Sequence, residues 1–331
     1  MSTTPDRRTL LKAALAVGAG ALPASALHAQ SGGRPVFLSL GTSTVGGTNH
    51  ILGSGISRLV RDDNPDIRIA AEITGGGIEN LKLAEAGRVQ MGLSTADTVY
   101  DSYHGANQFG FAKANKNLRG IASGYPVKGQ IYTLAKSDIR RIADLKGKKV
   151  SVGARGSLGN VVMPVILEAY GMKAGVDWRP EYLGHGEGAT ALGDGQVDAV
   201  LAFGSTPSPA LTSVSTSHEI RLLSIDKDKL QQLVAPRPFW KATTIPPGIY
   251  RRVDYAVDTL LIGIALFVDK DVPDDVVYRI AKSIFENTEK FAKIHPEGAT
   301  FTAENAGMAI DGIMPYHPGA ERYLRERKVL K

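Results

Sequence analysis

Short apolar runs alternate with glycine-rich polar turns and helix-like stretches along almost the whole chain beyond residue 34. Val36-Phe37-Leu38-Ser39-Leu40 predicts a buried strand, Gly41-Thr42-Ser43-Thr44-Val45-Gly46-Gly47 a turn, and 51–60 an amphipathic helix. Residues 67–73 predict a second strand, which runs into Thr74-Gly75-Gly76-Gly77 and a helix over 78–86. A third strand over 89–94 ends in Thr95-Ala96-Asp97. This repeated order of strand, polar turn and helix is the βαβ rhythm of a parallel sheet, whose turns gather at the carboxyl edge of the strands. A packing explanation has to account for three polar turns converging on one edge; a ligand site explains them directly.

The rhythm resumes further on. Strands are predicted over 118–124 and 130–135, with Tyr125-Pro126 breaking the pattern at a crossing between lobes. After a short helix at 142–147 and a strand at 150–152, Gly153-Ala154-Arg155-Gly156-Ser157-Leu158-Gly159-Asn160 repeats the form of the first turn and opens a helix over 161–170. A strand over 178–183, a helix over 186–192 and a strand over 200–203 lead to Gly204-Ser205-Thr206-Pro207, and a further βα pair covers 220–224 and 227–233. Ala235-Pro236-Arg237-Pro238 predicts the return crossing, 257–268 a buried strand, 274–294 a single helix, and 321–328 a last short one. The expected lobes are therefore 34–124 plus 238–331, and 126–235.

Composition narrows the function. The first thirty residues carry Arg7-Arg8, an apolar core over 13–22 and small residues for cleavage. They read as a Tat-like signal peptide over 1–30, which implies a periplasmic mature protein. That core is shorter than the roughly 20 residues a membrane-spanning helix needs. The formal charge is +6, to which Arg7, Arg8, Lys12 and Asp6 contribute 3 − 1 = +2, leaving +4 for the remainder. With no basic run interleaved with aromatics, nucleic acid is not an expected partner. There is no cysteine, so neither a disulfide framework nor a cysteine metal site is available. No phosphate-loop lysine, His-Glu-x-x-His or Gly-x-Ser-x-Gly occurs, and no metal, cofactor or catalytic residue is expected. Glycines that let a backbone approach a ligand, hydroxyls, and free helix N–H groups together suit a small anion or polar molecule. Thr42, Ser43, Thr74 and Ser157 are the first candidates.

Taken in order, Gly41-Thr42 with Gly46-Gly47, Thr74-Gly75-Gly76 with Glu79-Asn80-Leu81, Asp97 with Tyr100-Asp101, Asp144-Leu145-Lys146-Gly147-Lys148, Val152-Gly153-Ala154 with Gly156-Ser157, Asp194-Gly195-Gln196-Val197-Asp198-Ala199, Pro207 with Pro209-Ala210, and His317-Pro318-Gly319-Ala320 resemble the TAXI family. That family supplies the extracytoplasmic solute receptors of TRAP transporters. The resemblance implies a type II periplasmic binding protein-like α/β fold, two-lobed, with the ligand cleft between the lobes. It also implies capture of a small organic acid or amino acid, glutamate-like or dicarboxylate, for delivery to TRAP membrane subunits. A periplasmic sensor signalling to a membrane partner is the alternative, and a periplasmic enzyme a more distant one. Carried over by position, the ligand-binding set is Thr42, Ser43, Thr44, Asn49, Thr74, Gly75, Thr95, Asp97, Tyr125, Arg155, Ser157, Asn160 and Ser205. Arg155 stands where the family pattern usually has an uncharged residue; it can pair two-pronged with a carboxylate or simply be a surface arginine. Asp97 can grip an amine or cap the following helix. Tyr125 can present a ring or hydroxyl, or only fix the crossing.

Overall fold

Two successive βα blocks sit on one sheet in the computed structural model, which describes residues 35–331. The expected signal peptide over 1–30 lies outside the described residues. The first block runs β1 (Val36–Gly41), α1 (Thr48–Asp63), β2 (Ile67–Glu72), α2 (Gly77–Glu85), β3 (Met91–Thr95) and α3 (Ala96–His104). Here β1 pairs in parallel with both β2 and β3. Then β4 (Leu118–Leu134) leads to the second block: β5 (Lys149–Ser151), α4 (Leu158–Ala169), β6 (Arg179–Glu181), α5 (His185–Gly193), β7 (Ala199–Gly204) and α6 (Pro209–Ser217). Again β5 is parallel to β6 and β7. The chain returns through β8 (Ile220–Leu223), α7 (Lys227–Val234), β9 (Lys241–Ile245) and β10 (Val257–Asp269). Finally α8 (Asp274–Glu286), α9 (Thr288–Ile294) and α10 (Pro318–Glu326) complete the first half, with α8 packed against α1 and α10.

The strand order is β2-β1-β3-β10-β4-β7-β5-β6, with β8 on β4 and β9 on β10. The central pair, β4 of 17 residues and β10 of 13, is antiparallel to its neighbours. These two strands are long enough to run from one half into the other. The result is a mixed α/β, two-lobed fold in which the carboxyl edges of both parallel blocks meet.

Several expectations shift. Residues 118–134 form one strand, since Tyr125-Pro126 does not interrupt it. Pro126 faces Gly263 where the register slips between Gly263 and Ala265, and a bulge is where a strand tolerates a residue without an N–H. The helix expected over 274–294 breaks at Asn287 (φ −116°, ψ 29°). Its amide takes the Ser283 carbonyl at 2.9 Å, the acceptor a continuing helix would use, and also reaches Asp63 at 2.8 Å. Ile245, Tyr250 and Val253, inside the expected 238–331 segment, pack with Tyr132, Leu211 and Val214 of the second half.

Candidate functional site

In the first half the turns after β1 and β2 are tied to β3 by one buried side chain. The Asn80 amide donates to the carbonyls of Thr42 (2.8 Å) and Leu93 (2.9 Å), and its oxygen accepts the Thr74 hydroxyl (2.7 Å). The packing requires glycine at 41, where a Cβ would lie 2.5 Å from Asn80 Oδ1. Thr42 and Thr74 are consequently part of the scaffold: Thr42 gives its hydroxyl to the Glu72 carbonyl at 2.6 Å, and neither residue lines the cavity below.

The turns of the two halves touch. Glu79 N–H donates to the Gly156 carbonyl (3.2 Å) and Gly186 N–H to that of Val45 (3.2 Å). His185 N–H donates to Thr44 Oγ1 (3.0 Å), and Ser205 N–H to Thr48 Oγ1 (3.1 Å). Ser205 gives its own hydroxyl to the Pro207 carbonyl at 2.7 Å, so Thr48 is the donor in its 2.8 Å contact with Ser205 Oγ. Thr44 and Ser205 thus join the halves without lining the cavity.

Between these contacts lies a cavity with a free interior of about 50 Å³. Of the expected residues it brings together Ser43, Asn49, Gly75, Thr95, Tyr125 and Ser157, with Thr48, Ser94, Thr98, His185, Phe203 and several glycines added. Asn49 Oδ1 accepts the Tyr125 hydroxyl at 2.8 Å, leaving its Nδ2 as the donor it can offer. Burial pushes the Tyr125 hydroxyl pKa far up, so Tyr125 stays protonated. Ser157 caps α4 by accepting Asn160 N–H at 3.4 Å; Asn160 itself is outside the lining. His185 is partly accessible, yet loss of hydration inside the closed cleft brings its pKa down to about 4, so the ring is neutral at pH 7. No Asp, Glu, Lys or Arg side chain lines the cavity, and the described residues contain no group of three His, Asp or Glu that could hold a metal.

Arg155 is exposed, and its guanidinium lies over the Tyr182 ring, 4.0 Å from the centroid, so the side chain stays outside the lining. Asp97 is also outside it, held behind the wall. It accepts Thr95 Oγ1–H (2.6 Å), Thr98 N–H (2.8 Å) and Trp240 Nε1–H (2.7 Å). Burial raises its pKa, opposed by these hydrogen bonds. Neither a grip on an amine nor the helix-capping position, which Thr95 occupies, describes it.

Much of the lining sits at helix starts. Thr48 and Asn49 open α1, Gly77 and Ile78 open α2, Thr95 and Thr98 flank the start of α3, Leu158 and Gly159 open α4, and His185 opens α5. Each start carries N–H groups without an intrahelical partner and the positive end of a helix dipole. Ser94, Thr98 and His185 went unforeseen because Ser94 closes a predicted strand and Thr98 and His185 lie between predicted elements.

A family model described as NMT1-like matches residues 40–327. The chain belongs to the NMT1-like family. Solved structures resemble this NMT1-like chain over most of its length. The periplasmic binding protein BugD matches with a TM-score of 0.55 at 15% identity, over 89% of this chain and 94% of BugD. A protein from Bordetella bronchiseptica RB50 matches with 0.50 at 16%, over 87% and 88% of the two chains. The alkanesulfonate-binding protein SsuA from Xanthomonas axonopodis pv. citri, bound to MOPS, gives 0.48 at 16%, over 88% and 84%. At such identities the likeness is one of fold, the fold of a periplasmic binding protein.

Proposed function

We propose that this protein is an extracytoplasmic solute receptor, not an enzyme, that captures a small organic acid in the periplasm and delivers it to membrane transport subunits of the TRAP type. The observation that carries the acid is the convergence of five helix starts on a cavity with no charged side chain. The first-turn N–H groups beyond those bonded to Thr44, Val45, Gly156, Ser157 and Asp97, together with the dipole ends, make such a place favourable to negative charge. The lining has no carboxylate to pair a ligand ammonium, so an amino-acid ligand would rest its ammonium on hydroxyl oxygens. The small free interior, about 50 Å³, supports a compact acid. Capture by closure is supported by the hydrogen bonds between turns of the two halves, since a ligand that reaches both sides favours the closed form by its differential affinity. The ordered motifs of the TAXI resemblance support TRAP subunits as partners, and the twin arginine supports export. Among the described residues no helix is long and apolar enough to cross a membrane.

Titration calorimetry against a panel of small mono- and dicarboxylates tests this. Saturable binding is expected, with a fall in radius of gyration by scattering and chemically unchanged ligand on recovery. If no acid gives heat or compaction, the proposal fails; a transformed ligand overturns the non-enzymatic reading.

A further inference from the structure

The wall beneath α3 has its hydroxyl protons fixed. Asp97 Oδ1 faces Thr98 N–H and Oδ2 the Trp240 indole N–H, groups that can only donate, and with the Thr95 hydroxyl also on Oδ1 the three donors favour the carboxylate. Each neighbouring hydroxyl owns a single proton. Thr95 spends its proton on Asp97 (2.6 Å) and Thr98 on the Thr95 carbonyl (2.8 Å). The 2.7 Å contact between Ser94 Oγ and Thr98 Oγ1 is then Ser94 donating. All three protons are drawn back into the wall, so Thr95, the most accessible of the three, can meet a ligand only as an acceptor, with the buried Ser94 and Thr98 behind it. The 3.1 Å approach of the Thr95 and Thr98 oxygens is left without a proton between them. A ligand atom bringing a proton completes it; an unprotonated ligand oxygen sets lone pair against lone pair.

We propose that Ser94, Thr95 and Thr98 select acids that carry a hydrogen-bond donor, a hydroxyl or an ammonium, beside the carboxylate, with Asp97 and Trp240 as the positioning residues that fix the proton order. This rests on the small-acid receptor reading. The carboxylate goes to the helix starts and the Asn49 amide, the donor to the α3 wall. Trp240 reaches this wall from the segment between α7 and β9, so a residue far along the chain sets the chemistry of the α3 surface.

Calorimetry with two matched sets, lactate, alanine and propionate, and malate, aspartate and succinate, reads the selection directly. In at least one set the hydroxy or amino acid is expected to bind about ten-fold tighter than the unsubstituted acid, and comparing those two tells hydroxyl from ammonium. Thr95→Val should bring the ratio near one while retaining affinity for the unsubstituted acid. Trp240→Phe should lower the ratio as well, because Asp97, one donor short, takes up a proton and lets Thr95 turn its own toward the cavity. A merely structural role for either residue would weaken all acids alike. Equal or tighter binding of the unsubstituted acids in both sets, or a ratio unmoved by Thr95→Val, overturns the inference and leaves the receptor reading standing. Absence of binding by all six overturns both.

Discussion

Gly75→Ala should hold the cleft open. A Cβ at Gly75 would lie 2.1 Å from the Arg155 carbonyl oxygen, a backbone atom of the opposite half, where ordinary contact begins at 3.4 Å, so the two turns must part by 3.4 − 2.1 = 1.3 Å. The same Cβ would sit 2.6 Å from Glu79 Oε2, but that side chain is flexible and can turn aside. Parting by this distance breaks the 3.2 Å bond from Glu79 N–H to the Gly156 carbonyl, which joins the same turns. Overpacking of this kind costs about 1–3 kcal/mol, here charged to the closed state because opening relieves it. Ligand affinity should therefore fall about 5- to 150-fold, with the melting temperature of the ligand-free protein little changed. Calorimetry gives the affinity and small-angle scattering the compaction. An alanine variant that binds as tightly as wild type and compacts equally would refute the contact-limited closure described here.

Two further outcomes follow from the site. Arg155→Ala should alter acid affinity less than about two-fold and stability by less than about 1 kcal/mol, the scale of an exposed cation–π contact; a large loss of carboxylate affinity in calorimetry would return Arg155 to the site. For His185, the closed-state pKa of about 4 lies below the ordinary 6.5, so the ring's contribution is whole above pH 6.5 and is lost as pH falls from 6.5 toward 4. The loss has a ceiling of about 1.4 kcal/mol per pH unit, reduced because the ring is partly exposed. Melting of the acid-bound protein, whose cleft is closed, should thus fall across that window more steeply in wild type than in His185→Gln, and parallel curves would show that the ring is hydrated even in the closed form.

The alternation of apolar runs with polar turns was enough to predict the parallel blocks and the edge where their turns gather, because burial of a strand and capping of a helix are written in neighbouring residues. Ser43, Gly75 and Ser157 were legible for that reason. The cavity's remaining chemistry depends on partners far apart in the chain. Thr42 and Thr74 look identical in type to the lining hydroxyls, but their protons go to Glu72 and Asn80. Asp97 could not be assigned until Trp240, 143 positions away, supplied its third donor. Arg155 sits in a turn of the right form, and its stacking on Tyr182 rather than on a ligand is a fact of tertiary packing alone. The sequence determines which segments become strands, turns and helices, since those preferences are local. Which hydroxyl keeps a proton for a ligand, and which charge is excluded from the cleft, are decided only when distant donors and acceptors are brought within hydrogen-bond reach.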